Sequence, residues 1–303
     1  MFRLLTLSLL VFSLACNNQP KTTTSNGTST IAHKHYELTY SPSDKALLIL
    51  FPGGGTNAAY TKKEFNILQK AQAADISVLM MNFNRHLWIE QEQMEYLKGM
   101  LTSVVEEYQL NTDKVYIGGM SIGGTVSFSL SDYLVRTNSS FAPKGAFVVD
   151  SPIALFSLYE SSLKDTKRTD FSEQRRAEPE WIVNYIEEEL GGNEGGVLAG
   201  VEKVAPITLK TQNIDNIQHL KNIKIRIYTE PDSLWWQQER QTDFKSTNAY
   251  ALQQTTDLLK SKNWQNISLI QTTGKGFRSN GDRHPHSWSI VDIDDLIEWI
   301  LEK

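Results

Sequence analysis

Short apolar runs alternate with helix-length amphipathic segments from about residue 36 to the end of the chain. The run Ala46–Phe51 is apolar throughout, as expected of a strand covered on both faces, whereas Tyr36–Tyr40 alternates like a half-exposed strand. Further strands are predicted at 76–83, 115–117, 145–149, 223–228 and 267–270. The clearest helix lies at 90–108, where apolar residues recur every three or four positions. This alternation predicts an α/β fold with a mostly parallel sheet flanked by helices.

The segment from about 153 to 222 differs from this pattern. It contains polar and helical stretches and a glycine-rich turn at 191–196, and it has no strand pattern. We therefore predict a helical cap insertion at about 153–222 that covers the carboxyl edge of the sheet, with glycine hinges that allow movement.

One serine stands at the tip of a glycine-rich turn. Residues 118–124 read Gly-Gly-Met-Ser-Ile-Gly-Gly and lie between the strand predicted at 115–117 and a helical segment. In such a turn the serine backbone is strained, and the flanking glycines leave room where side chains would clash. Ser121 is therefore the candidate nucleophile, at a helix N-terminus that favours an oxyanion. The alternative is a glycine-rich turn with an incidental serine.

A second glycine-rich stretch, Pro-Gly-Gly-Gly at 52–55, directly follows the strand Ala46–Phe51. It is not a phosphate loop, because no Gly-Lys-Ser/Thr follows, and the turn at 118–124 is not a dinucleotide fingerprint. Paired with the serine turn, it predicts an oxyanion hole. One donor would come from the backbone of Gly53 or Gly54 and the other from that of Ile122.

Ligands meet the carboxyl ends of parallel strands, so residues that follow the strands are candidates for the remaining chemistry. Asp232 is preferred as the acid that orients a histidine, because it lies two strands beyond the nucleophile; Glu230 and Asp150 are the alternatives. His286 precedes the closing helix and is preferred over His284 as the general base that takes a proton from the serine.

Four ring-bearing residues that follow predicted strands are candidates for the walls of a substrate pocket. They are His86, Trp88, Trp235 and Trp236. The alternative for each is ordinary loop packing.

The N-terminal segment has the pattern of an export signal. Residues 1–15 carry one positive charge, Arg3, followed by an apolar stretch too short to span a bilayer comfortably, as in a signal peptide. Ser-Leu-Ala-Cys at 13–16 resembles a bacterial lipobox, so we expect cleavage before Cys16 and lipid on that cysteine. The polar residues 16–33 are expected to form a flexible tether. These features predict an exported protein that a lipid anchors to a bacterial membrane, at its periplasmic face or at the cell surface.

Composition narrows the function classes. The 303 residues carry a formal net charge of −5 with mixed signs, which argues against a nucleic-acid-binding surface. Cys16 is the only cysteine, so no intramolecular disulfide is possible and the fold depends on its core. The remaining residues, 34–303, are enough for one large domain with a well-buried interior.

The order Ser121, acid, His286 on an alternating strand and helix framework resembles the α/β-hydrolase superfamily, and the resemblance covers most of 34–303. In place of that superfamily's His-Gly oxyanion motif, this chain has Phe51-Pro52. The resemblance implies a serine hydrolase that forms an acyl-enzyme, needs no metal or organic cofactor and cleaves a small-molecule carboxylic ester. A peptidase or amidase on the same fold, and a catalytically inactive ligand-binding lipoprotein, are the alternatives.

Overall fold

The computed structural model describes residues 21–25, 28–83, 85–192 and 194–302. The strands in these ranges are β1 Lys21–Ser25, β2 Thr28–His33, β3 Tyr36–Tyr40, β4 Ala46–Phe51, β5 Ile76–Met81, β6 Val115–Met120, β7 Gly145–Val149, β8 Lys224–Thr229 and β9 Ile267–Gln271. They form one sheet in the order β1-β2-β3-β5-β4-β6-β7-β8-β9. Strands β4 to β9 pair in parallel, and β1, β2 and β3 extend the β5 edge in antiparallel pairs. The mostly parallel sheet that the sequence predicts is confirmed.

Helices cover both faces of this sheet. Those in the described ranges are α1 Ala58–Glu64, α2 Leu68–Ala73, α3 Gln91–Tyr108, α4 Ile122–Arg136, α5 Leu155–Thr166, α6 Glu173–Leu190, α7 Gly196–Val204, α8 Ser233–Arg240, α9 Asn248–Ser261 and α10 Ile293–Leu301. Each central strand alternates between two cores, because successive side chains point to opposite faces. In β4, Leu48 and Leu50 pack with residues of α1, α2 and α10, whereas Leu47 and Ile49 pack with residues of α3 and α4.

The insertion between β7 and β8 is helical, as predicted, but its last part belongs to the body of the domain. Helices α5, α6 and α7 share an apolar cluster with Trp88 and Ile122, next to the serine turn. The 3-10 helix Asp215–Asn222 instead packs in the core of the domain. Its Ile217 and Leu220 belong to the apolar cluster formed by residues of α4, β8 and α9. Within the segment 153–222, helices α5 to α7 thus pack with Ile122 beside the serine turn, whereas Ile217 and Leu220 pack in the core of the domain.

The prediction of a flexible tether over 16–33 is wrong for the part that the structure describes. β1 and β2 form an antiparallel pair, and β2 continues the sheet along β3, with Ile31 buried. Main-chain hydrogen bonds to an open sheet edge explain this order, since they do not require apolar side chains. The predicted signal peptide at 1–15 and the lipidation site Cys16 lie outside the described residues. In the described ranges, no helix combines the length and apolar character needed to cross a membrane.

A substitution at Gly118 in β6 measures how tightly side chains pack on the sheet next to the serine turn. A Cβ on this glycine would lie 2.2 Å from ring carbons of Phe147, far closer than van der Waals contact. We expect Gly118→Ala to lower the free energy of unfolding by about 1–3 kcal/mol, because the fully buried ring must shift. Urea denaturation followed by circular dichroism measures this change.

Gly99 provides the matched control. It lies inside α3, and a Cβ placed there meets nothing within 4 Å. Gly99→Ala should raise the free energy of unfolding by about 0.5–1 kcal/mol through helix propensity. Equal effects of the two substitutions would contradict the packing described for β6.

Candidate active site

Ser121 occupies a strained turn between β6 and α4. Its backbone angles are φ 54° and ψ −132°, a conformation that residues with side chains rarely adopt. A Cβ on Gly119 would lie 2.2 Å from the carbonyl oxygen of Gly123, and a Cβ on Gly123 would lie 2.3 Å from that of Pro52. The glycines are therefore required where α4 approaches β6 and the loop after β4. The predicted turn is present, and the Ser121 side chain is partly exposed at its tip.

Two hydrogen bonds fix the backbone of this turn. The Ser121 N–H group donates to the carbonyl oxygen of Val149, at the end of the neighbouring strand β7. The Ser151 hydroxyl donates to the carbonyl oxygen of Ser121. The serine is thus attached on both sides to the chain that leaves β7.

The loop after β4 lies against the serine turn, as the oxyanion prediction requires. A Cβ on Gly53 would lie 3.7 Å from Ser121 Cβ, and a Cβ on Gly54 would lie 3.1 Å from Ile122 Cδ1. Thr56 holds this loop by donating from its hydroxyl to the carbonyl oxygen of Gly53, at 2.8 Å. Ile122 begins α4, where main-chain N–H groups lack intrahelical acceptors. The structure therefore brings together the three residues predicted to supply donors.

His286 is paired with Asp150. Its Nδ1 lies 2.6 Å from Asp150 Oδ2. Only 3 % of Asp150 is exposed, and its second carboxylate oxygen accepts a hydrogen bond of 2.8 Å from the Thr229 hydroxyl. The amide of Asn248 donates to the Asp150 carbonyl oxygen at 2.9 Å, which holds the main chain here as well. Asp150 follows β7 directly, and β7 pairs with β6, so Asp150 and Ser121 follow neighbouring strands at the same sheet edge.

The preference for Asp232 as the partner of the histidine is wrong. Its carboxylate accepts from the Trp235 N–H group at 3.0 Å, as the N-cap of α8, and forms an ion pair with Arg283. Glu230, the other candidate after β8, also pairs with Arg283. Both carboxylates therefore bind the loop that leads to His286, whereas Asp150, the remaining alternative, contacts the imidazole itself.

His284 lies among aromatic rings instead of at the acid. Its ring centroid is 4.8 Å from that of Trp235, 6.2 Å from that of Trp236 and 6.2 Å from that of His286. Burial, together with the positive charges of nearby Arg278 and other bases, lowers the pKa of His284 to about 3. Its buried Nδ1 atom has no hydrogen-bond partner in the part of the chain that the structure describes.

The other two pocket candidates lie on the opposite side of the serine. His86 stacks on Phe83 with ring centroids 4.3 Å apart, and burial lowers the pKa of its imidazole. Trp88 is buried and stacks on Tyr185 of the cap, with centroids 5.0 Å apart. Trp88 therefore joins the cap to the loop after β5.

Two cavities open elsewhere on the described surface. One, of about 280 Å³, lies between α5 and the chain near Asn248, and its wall includes Pro152. The other, of about 420 Å³, lies between α4 and the 3-10 helix that carries His219. Neither is lined by Ser121 or His286. The described residues contain no cluster of three or more His, Cys, Asp or Glu side chains that could hold a metal ion.

Comparisons with known proteins identify the fold. No family model matches the sequence, and no curated protein is similar to it. Among solved structures, an esterase from Rhizomucor miehei is 15% identical with a TM-score of 0.57, covering 93% of this chain and 82% of that one. An S-formylglutathione hydrolase from Agrobacterium tumefaciens is 12% identical with a TM-score of 0.51, covering 93% and 98%. The chain has the α/β-hydrolase fold.

A third structure agrees with this assignment. A fluorophosphonate-binding serine hydrolase from Staphylococcus aureus is 13% identical with a TM-score of 0.50, covering 94% of this chain and 98% of that one. The α/β-hydrolase fold predicted from the sequence is thus confirmed. Within it, Ser121, the loop 52–55 and the Asp150–His286 pair all lie at the carboxyl edge of the parallel strands, where this class of sheet binds ligands.

The environment of His284 predicts its titration. With a pKa of about 3, His284 stays neutral from pH 5 to 8, and its ring protons should not shift in an NMR titration over that range. In the unfolded chain His284 binds a proton below about pH 6.5, whereas in the folded chain it stays neutral down to about pH 3. This residue therefore lowers the free energy of unfolding as the pH drops from 6.5 towards 3. His284→Gln should reduce that acid sensitivity. A normal titration of His284 near pH 6.5 would contradict the burial described here.

Proposed function

We propose that this protein is a serine hydrolase that cleaves carboxylic esters through an acyl-enzyme. The observation that carries the proposal is the buried Asp150 carboxylate on His286 Nδ1, at the same sheet edge as the strained Ser121 turn. If Ser121 were an incidental serine in a glycine-rich turn, there would be no reason for an acid–histidine pair at the end of the neighbouring strand. The fold shared with the esterases and serine hydrolases named above agrees with this chemistry.

In the proposed reaction, Ser121 Oγ attacks the carbonyl carbon of the ester. His286 accepts the hydroxyl proton at Nε2, because the Nδ1–H group donates to Asp150. The carbon–oxygen bond to the alcohol then breaks, and His286 gives that proton to the departing alcohol oxygen. In the second half of the reaction His286 takes a proton from water, and the resulting hydroxide attacks the acyl carbon. The bond to Ser121 Oγ then breaks and His286 returns the proton to Oγ, which releases the acid and restores the serine.

Asp150 suits the orienting role better than an exposed acid would. A buried carboxylate that already accepts from Thr229 has little freedom to turn away from the imidazole. It fixes the tautomer with the proton on Nδ1 and stabilises the imidazolium that forms during attack. The negative charge that develops on the ester oxygen would be bound by main-chain N–H groups of Gly53 or Gly54 and of Ile122.

The substrate pocket is proposed to lie between the cap and the loops after β5 and β8. Trp88 and His86 would form one wall, and Trp235 and Trp236 the other. Ile122 packs both in the apolar cluster of the cap and beside Gly54, so the cap and the proposed oxyanion hole share one side chain. A small ester with an apolar acyl or alcohol group fits this lining.

Turnover of p-nitrophenyl acetate tests the assigned roles. Ser121→Ala or His286→Ala should each lower kcat on the order of a millionfold, because the nucleophile or its base is lost. Asp150→Asn should lower kcat by about 10,000-fold, since the amide favours the wrong tautomer of His286. Mass spectrometry after reaction with a fluorophosphonate should place the label on Ser121.

Asp232→Asn is the matched control, because it makes the same chemical change at the acid that binds Arg283 instead of the imidazole. It should cost far less activity than Asp150→Asn. A larger loss for Asp232→Asn than for Asp150→Asn would show that Asp232 is the catalytic acid.

Cleavage of p-nitroanilides at rates comparable to the esters would favour an amidase. If no label appears while a ligand still raises the melting temperature, the protein only binds.

The N-terminal pattern leads us to propose an exported protein held at a bacterial membrane by lipid on Cys16. In its own host, Cys16→Ser should move the protein from the membrane fraction to the soluble fraction, because the lipid attachment point is lost. Metabolic labelling with an alkyne fatty acid should mark the wild type and not the variant. Membrane association that survives Cys16→Ser without lipid would exclude this anchor.

A further inference from the structure

The loop that carries His286 is attached to the sheet through one buried carboxylate. Glu230 follows β8, and 1 % of its side chain is exposed. One of its oxygens, Oε2, accepts from the Thr272 hydroxyl at 2.9 Å and from the N–H groups of Lys275 and Gly276 at 2.8 and 3.1 Å. Its other oxygen, Oε1, forms an ion pair with Arg283. Glu230 therefore binds both ends of the loop 272–283.

Arg283 closes this loop three residues before His286. Its Nη1 donates to the Gly276 carbonyl oxygen at 2.7 Å, while its Nη2 reaches Glu230 and Asp232. The same Gly276 oxygen accepts from the His284 N–H group at 2.9 Å. A Cβ on Gly276 would lie 2.6 Å from the His284 carbonyl oxygen, so the two sides of the loop are in close contact there.

These contacts fix where the chain enters the segment 284–286. The ion pair between Arg283 and Glu230 is almost fully withdrawn from water on the Glu230 side, and loss of the Arg283 charge would leave this buried carboxylate without compensation. The Glu230 carboxylate also satisfies two main-chain N–H groups that would otherwise lose hydrogen bonds. The hydrogen bonds and the ion pair of Glu230 all go to Thr272, Lys275, Gly276 and Arg283, so the side chain is linked to His286 through the loop.

We propose that Glu230 is a positioning residue that holds His286 against Asp150. The proposal rests on the function proposed above and assigns different roles in it to two acidic residues. Two acids follow neighbouring strands: Asp150, after β7, binds the imidazole, and Glu230, after β8, binds the loop that delivers it. A displacement of a reacting group by about 1 Å can cost about a hundredfold in rate, which sets the expected size of the effect.

The test compares Glu230→Gln with Glu64→Gln in the full chain. Glu64 also binds this loop, through the N–H group and hydroxyl of Ser279 at 2.9 and 2.6 Å, but at its far tip. Glu230→Gln should lower kcat for p-nitrophenyl acetate by about a hundredfold with KM changed by no more than about threefold, because substrate contacts remain. Glu64→Gln should leave both constants near the wild-type values.

A spectroscopic measurement separates positioning from general damage. The Nδ1 proton of His286, shared with Asp150, should give a resolved low-field proton NMR signal that Asp150→Asn abolishes. Glu230→Gln should shift, broaden or remove this signal at temperatures where circular dichroism shows a folded chain, whereas Glu64→Gln should retain it. If Glu230→Gln does not fold, Arg283→Lys replaces it, since this variant keeps a cation near Glu230 and loses the bond to Gly276.

The outcomes distinguish this proposal from the function on which it rests. If the wild type carries no fluorophosphonate label at Ser121, the serine hydrolase function fails, and the NMR signal alone decides whether Glu230 positions His286. If the wild type is labelled and active but Glu230→Gln keeps both its kcat and the low-field signal, the positioning role is wrong and the hydrolase proposal stands. Loss of the signal together with the drop in kcat supports both.

Discussion

The hydrogen bond between Asp150 and His286 is the contact on which the candidate site depends. It joins residues 136 positions apart in the chain, one directly after β7 and the other in the loop between β9 and α10. The parallel register of β6, β7 and β8 makes this possible, because it places the ends of all three strands at one edge. The sheet therefore determines the position of the site, and the loops after β6, β7 and β9 contribute Ser121, Asp150 and His286 to it.

Two residues at this edge, Ser121 and Asp150, have a strained main chain that is hydrogen-bonded to the neighbouring strand. Both have positive φ angles; the Ser121 N–H group donates to Val149, the last residue of β7, and the Asp150 N–H group donates to Tyr228, the residue before the last one of β8. Such conformations cost about 1–3 kcal/mol each and persist only where the surroundings impose them. At Ser121 the tightly packed glycines at 119 and 123 provide those surroundings, so the strain and the packing occur together there.

Local patterns in the sequence were sufficient for much of this arrangement. The strand runs, the turn at Ser121, the glycines after β4 and the position of His286 each follow from a few consecutive residues. The choice among Asp150, Glu230 and Asp232 did not, because all three follow strands, and only the tertiary path of the loop 272–287 decides which carboxylate meets the imidazole. Strand β1 has no apolar residue and β2 has only Ile31 and Ala32, so these two strands carry little apolar signal; their pairing depends on main-chain groups.

The antiparallel extension at the N-terminal side has a practical consequence. The described chain enters the sheet at β1, five strand spacings from β6, which corresponds to about 24 Å along the sheet. Because Lys21 pairs with Ala32, Ala32 with Glu37 and Glu37 with Met80, residue 21 lies at the carboxyl edge of the sheet, the same edge as Ser121. A surface or resin joined ahead of residue 21 would therefore face the edge that carries the serine, and a spacer between the two would keep that edge open to molecules arriving from solution.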